Sequence, residues 1–588
     1  MIKLKKPSLF LTLGATTVLI AGGGAAYWVL SQQQILFSSN LPPGANLIPQ
    51  DALMAISLST NPEQWQQLRQ FGTKESIAAF DSSLTKLRDR FLTANGYNYQ
   101  QDIQPWAGKE ITLAFLSPQK TSNEAKLTQQ PSSPNPSPSP ETETTQQSVV
   151  MLLPIANPLQ AKQILEQPKS PLKQNNWVER TYKGIPIKET KPNPTENYST
   201  TVINRQFLVI TTDPKTTDKV IDTYLGNPSL AKIPGYSQAL DKIKANQPFA
   251  KLYVNIPIAA AAAKNSQQPL SPQALAQLQQ QQGLAATITL QSEGIRFKSI
   301  SWLKPNSQQK YSVKNEAGMM PKRLPSDTLM MISGGNLKLF WQDYVRGAES
   351  NPITPFKPEE PRNWVKNFID LDLDRDLINW MDGEFSLSLI PFPDQNKQDT
   401  PSLNSGAGLV FMVKTNDKNT AQKSLDRIDA VLSDKYKFKV EETKINNLPA
   451  INLFSPTQGV KMTHGWLDGS VAFLALEAPV NGAIIPQPKS ALADSEQFRT
   501  TVPLDLNPNN GHFFMDIDRL GVDRAASLFT FLFRLSPDPN TQIMLRNLIT
   551  PLRAIGVTAA VSDERSTRFD IFVQPKKVEQ PETNPNKN

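Results

Sequence analysis

Apolar and polar residues change rhythm several times along this chain, and the changes divide it. From Pro7 to Gln50 no residue is charged, and within that stretch residues 8–30 are apolar apart from one serine and three threonines. A helix rises 1.5 Å per residue, so such a segment reaches about 30 Å, the hydrocarbon thickness of a bilayer. The pattern predicts a transmembrane helix over 8–30, with Tyr27 and Trp28 at the interface. Beyond residue 45 short runs alternate, as Leu284, Ala286, Ile288 and Leu290 do against Thr287, Thr289 and Gln291. That period of two predicts strands with one buried face. Runs with helical spacing lie between them, NPLQAKQIL from Asn157 and NTAQKSL from Asn419 among them. Hairpin-linked strands with helices over one side predict an α+β fold on a mainly antiparallel sheet.

The rhythm also recurs. IPQDALMAI from Ile48 returns as LPSDTLMMI from Leu324, and Asp102, Trp106 and Glu110 return as Asp376, Trp380 and Glu384. The order continues: Val149–Pro154 with Gly408–Val413, Gly184–Ile187 with Asn447–Ala450, Asn204–Ile210 with Asp468–Leu474, and Leu252–Ile256 with Phe513–Ile517. A strand pair closes each half, Leu284–Leu303 and Val557–Val573. Matches in one unbroken order predict internal duplication. The expected organisation is a basic N-terminus at 1–7, the span at 8–30, a tether at 31–45 and a first repeat domain at 46–305. A linker at 306–321, a second repeat domain at 322–575 and a disordered tail at 576–588 follow. A Pro/Ser-rich insertion at 117–148 has too little apolar content to fold.

The opening LIPQDALMAISLS and the block DIQPWAGKEITLAF resemble the family of proteins known as domain of unknown function 3352. The resemblance covers roughly residues 45–575. Its most specific part is the Asp–Ile/Leu–x–x–Trp–x–x–x–Glu signature, although the second half has Asn379 for Pro105 and a displaced glycine. It implies an anchored envelope protein of bacteria, largely cyanobacteria, in the plasma or the thylakoid membrane. It supplies no catalytic residues.

Charge fixes the orientation. Lys3, Lys5 and Lys6 stay cytoplasmic by the positive-inside rule, which places the bulk of the chain in the periplasm or thylakoid lumen. A cleaved signal peptide is the rival reading, with Gly24-Ala25-Ala26 as its small-residue site; the apolar run exceeds the 7–15 residues such a peptide needs. The net charge of +8 is spread without a basic stripe, which argues against nucleic acid as a partner. The absence of cysteine removes disulfides and thiolate chemistry.

His464 and His512 are the only histidines and lie far apart in sequence, unlike a zinc site. Ser-x-x-Lys occurs at Ser83, Ser117 and Ser301 without the companion motifs of penicillin-binding proteins. Asp370, Asp372, Asp374 and Asp376 begin like a calcium loop, but the sixth and twelfth positions hold Arg375 and Met381; helix capping is the expected role. Asp102, Trp106, Glu110, Asp376, Trp380 and Glu384 are therefore expected to be structural.

The pattern predicts a non-enzymatic scaffold or binding protein without cofactor or metal, held to the bilayer and to another membrane or envelope protein. Two other readings stand beside it. One is a carrier or sensor of an apolar molecule, with Phe529, Phe531 and Phe533 lining a groove. The other is a hydrolase using Asp516, Asp518 and Glu384.

Overall fold

Successive side chains of a strand point to opposite faces, and the central strands here meet a core on each. The computed structural model describes residues 40–92, 97–117, 148–165, 177–190, 198–263, 278–348, 357–392, 406–456, 460–533 and 539–577. In β2 (Glu110–Leu116) and β3 (Val149–Pro154), Ala114, Leu116, Val150 and Leu152 enter one core. Their neighbours Leu113, Phe115, Val149, Met151 and Leu153 enter a second, around Trp106. The expectation of helices over one side is corrected: these strands are apolar runs because both faces are covered. The strand that alternates most clearly, β9 (Gln281–Gln291), behaves the same way. Ala285 joins the first core, Leu284 packs on a third, and buried Thr287 donates its hydroxyl to the Ile243 carbonyl at 2.7 Å.

Among the described residues the sheet has twenty strands. The first ten comprise β1 (Ala52–Ser59), β2, β3, β4 (Trp177–Tyr182), β5 (Ile185–Thr190), β6 (Ser199–Ile203), β7 (Phe207–Thr211), β8 (Ala250–Val254), β9 and β10 (Gly294–Leu303). They pair in the order β4-β5-β6-β7-β3-β2-β1-β8-β9-β10, antiparallel throughout. The second ten comprise β11 (Met330–Gly334), β12 (Phe385–Pro391), β13 (Ala407–Lys414), β14 (Lys439–Ile445), β15 (Leu448–Phe454), β16 (Lys461–Trp466), β17 (Val471–Leu476), β18 (Gly511–Asp516), β19 (Leu552–Asp563) and β20 (Ser566–Pro575). Their order is β14-β15-β16-β17-β13-β12-β11-β18-β19-β20. Each strand of the second set holds the place of the strand ten before it. The sets meet where β10 pairs with β20, so the order reads alike from either edge.

Tight turns set the hairpins. Lys183-Gly184 (φ 47° and 80°) and Asn446-Asn447 (46° and 65°) join β4 to β5 and β14 to β15, and Asn204-Arg205 (52° and 56°) joins β6 to β7. Paired positive φ angles give the turn whose twist matches that of the strands.

Residues 304–321 form a strap, pinned along the β19–β20 hairpin. Arg565 Nη2 donates to the carbonyls of Lys304, Pro305 and Ser307 at 2.7–3.2 Å. Asn315 exchanges two hydrogen bonds with the Val561 backbone at 2.9 and 3.0 Å. The tether likewise docks before residue 45: Leu41 packs on the first core, and the Pro43 carbonyl accepts from Thr112 at 2.9 Å. The span at 8–30, the insertion from 118 to 147 and the tail from 578 lie outside the described residues. Among the described residues no helix is long and apolar enough to cross a membrane.

Candidate functional site

The signature residues build two matching turns. Tyr99–Ile103 and Leu373–Leu377 each form one five-residue π-turn. Asn98 and Asp372 cap these turns with their side chains, taking the N–H groups of Gln100 and Gln101 in one case and Arg375 in the other. Asp102 and Asp376 stand inside the turn, not before it. Their carboxylates reach back to the N–H of Asn98 and of Asp372, at 2.8 and 2.9 Å. This reciprocal capping satisfies donors that the turn leaves open. Trp106 and Trp380 then donate Nε1–H to the carbonyls of Asp102 and Asp376, at 2.5 and 3.1 Å, and bury their rings. Arg375 beside Asp376 holds its carboxyl down to about 2.

The two glutamates hold equal places but different partners. Glu384, 5% exposed, accepts from the N–H groups of Gly318, Met319 and Met320 at 2.7–3.0 Å, fastening the strap to the start of β12. Gly318 has φ +138°, which lets consecutive N–H groups converge on one anion. The segment in the same place before β1 is Pro42-Pro43-Gly44, and proline has no N–H to give. Glu110 is instead held by Lys251 Nζ at 2.8 and 3.1 Å and by the Ser57 hydroxyl at 2.7 Å. In β18 the place of Lys251 is taken by His512, since each faces a buried threonine, Thr287 or Thr558. Thr558 donates to the Pro503 carbonyl as Thr287 does to Ile243. Pattern reading missed Lys251 and Ser57; the doubled proline was the available signal.

His512 lies 3.0 Å from the Thr558 hydroxyl through Nδ1, and burial lowers its pKa to about 4. His464 sits in β16 with Nε2 2.7 Å from Asp429. The four aspartates from 370 to 376 diverge. Asp370 pairs with Lys366, Asp372 caps its turn, Asp374 accepts from Trp341 and Arg362, and Asp376 pairs with Arg375. Among the described residues no cluster of three or more acidic or histidine groups is placed to hold a metal. Asp516 caps the short helix Ile517–Leu520 and Asp518 pairs with Arg553. Glu384 and Asp516 lie beyond opposite ends of β11, about 20 Å apart at 3.3 Å per residue, too far to act as a carboxylate pair. Phe529 packs against the third core; the side chains of Phe531 and Phe533 lie outside the described residues. A different aromatic group faces water. Trp364 is 61% exposed and stacks on Phe368 at 5.1 Å, which stacks on Tyr436 at 4.6 Å.

Comparison with known proteins gives one family and a distant likeness. A family model described as "Protein of unknown function (DUF3352)" matches residues 12–574. Among curated proteins none matches the chain. Three crystal forms of TP0453 are similar at 10% identity, with TM-scores of 0.23 (form III), 0.24 (form I) and 0.22 (form IV). The likeness covers 44–46% of this chain and 80–82% of that one.

Proposed function

The chain belongs to the DUF3352 family of proteins of unknown function, and from that membership we propose a non-enzymatic, membrane-anchored binding or scaffold protein built from one duplicated module. The observation that carries the reading is the use made of the recurring residues. Asp102, Trp106, Asp376 and Trp380 hold turns, and Glu110 and Glu384 hold a strand pair and a strap. What recurs is thus what keeps the module's shape, as a protein that works through its surface requires. Duplication draws support from the strand order, in which the second ten strands follow the first ten place for place.

The anchor is residues 8–30, with the body in the periplasm or thylakoid lumen and a second envelope or membrane protein as partner. The family model's match begins at residue 12, within that apolar segment. Trp364 is the contact we assign to the partner, because an exposed indole at the end of a three-ring stack offers rigid apolar area. Two measurements test this. Full-length protein should stay with membranes after an alkaline wash, and removal of residues 1–30 should release it; a wild-type chain found in the wash would end the anchored reading. A photo-crosslinker at position 364 should give one discrete adduct in cells that is missing when the label sits at exposed Val313. Equal labelling from both positions would count against the surface.

A further inference from the structure

The seam between β10 and β20 has an unusual register. Each is the second strand of a hairpin, β10 starting at Gly294 after its turn and β20 at Ser566 after its own. Counted from those starts, Arg296 corresponds to Arg568, Lys298 to Asp570, and Ile300 to Phe572. Across the seam Arg296 faces Phe572, Ile300 faces Arg568, and Lys298 faces Asp570. Arg296 therefore meets the counterpart of Ile300, Ile300 meets the counterpart of Arg296, and Lys298 meets its own counterpart. Contacts that exchange in this way define an isologous interface, with the two-fold axis through the self-opposed pair.

We propose that this seam is a fused homodimer interface: a self-complementary strand edge whose fitting partner is a second copy of the same module, with the 298/570 position on the axis selecting which copies pair. The inference rests on the duplication proposed above. The side chains nearest the axis carry the case for selection. Arg296, Lys298, Arg568 and Asp570 share one face, since residues two apart do and directly opposed residues do. Arg296 Nε donates to Asp570 at 2.7 Å, its Nη2 makes a second contact there, and Asp570 is 2% exposed. The two-fold related contact would run from Arg568 to position 298. That position holds lysine, and among the described residues Arg568 Nε is buried without a hydrogen-bond partner. Aspartate at both axial positions would complete two reciprocal Arg–Asp pairs. With lysine in the first copy, pairing first with first sets lysine against lysine, which is destabilising directly across strands, and leaves each Arg296 without a carboxylate there. First-to-second pairing escapes that clash and gives Arg296 its aspartate, so the lysine on the axis keeps separate chains from joining first half to first half.

The test uses the full chain with a protease site inserted between exposed Gln308 and Gln309 of the strap. After cleavage, native mass spectrometry in detergent reads which halves associate when tagged and untagged proteins are mixed. Wild-type halves should appear as first–second pairs. Lys298→Asp should raise the fraction of first–first pairs at least tenfold, because each Arg296 then finds an aspartate across the axis. Lys298→Ser, should the first variant not fold, removes the clash and gives a smaller rise. Folded halves that exchange tags yet never form first–first pairs in either variant overturn the proposal and leave duplication standing. A crystal structure whose halves do not superpose strand for strand overturns the duplication, and the proposal with it.

Discussion

The His512 ring is buried among Thr558, Phe498 and the β18–β19 backbone, and binds its proton only near pH 4. In an unfolded chain histidine titrates near 6.5. Between these values the unfolded state holds more protons, so stability is complete above about 6.5 and falls as pH drops towards 4, by about 3 kcal/mol at most. Asp516, its carboxyl raised by burial, works in the opposite sense. An Asp516→Asn background, which copies the asparagine found at 255, removes that opposing contribution. Urea midpoints at pH 7, 6 and 5 in that background should decline stepwise, and His512→Gln should flatten the decline. A flat series with His512 intact would contradict the buried neutral ring. Nothing in the sequence marked this ring as buried, because burial belongs to the fold and not to a motif. The tryptophans were legible, since their spacing from an aspartate recurs.

Among elements the strap depends on Glu384, which takes three backbone N–H groups. Glu384→Ala leaves those donors unpaired, the Met320 N–H buried among them, and should cost about 1–3 kcal/mol, the range for orphaned polar groups. The loss should show as faster limited proteolysis between residues 308 and 314, with cleavage elsewhere unchanged. Equal digestion of variant and wild type would mean that Arg565 and Asn315 hold the strap alone. The sequence marked residues 306–321 as a linker because they are polar; the contacts that pin them come from Arg565 and Asn315, remote from or isolated within the chain. Strands and hairpin turns were easier to read. Asn204 and Gly184 announce positive φ by residue type, whereas β2 and β3, covered on both faces, lack the alternation that would have shown where each side chain points.

Over the whole molecule the recurrence was legible as ordered matches, and the meeting of β10 with β20 was not, since the pairing partners are some 270 residues apart. The other ends of the ladder stay open: among the described residues β4 and β14 have one neighbour each. Exposed strand edges invite pairing, and proteins guard them with charge. Here β14 carries Lys439, Glu441, Glu442 and Lys444. Replacing Glu441, Glu442 and Lys444 with valine should turn a monodisperse protein into one that scatters light and binds an amyloid dye within hours at 37 °C. A triple variant that stays monodisperse would show that the edge is protected by its shape. In the language of polymers the molecule is bifunctional. One edge-to-edge bond yields a species that still has two live ends, so these few ionic side chains stand between a discrete particle and a ribbon of no fixed length.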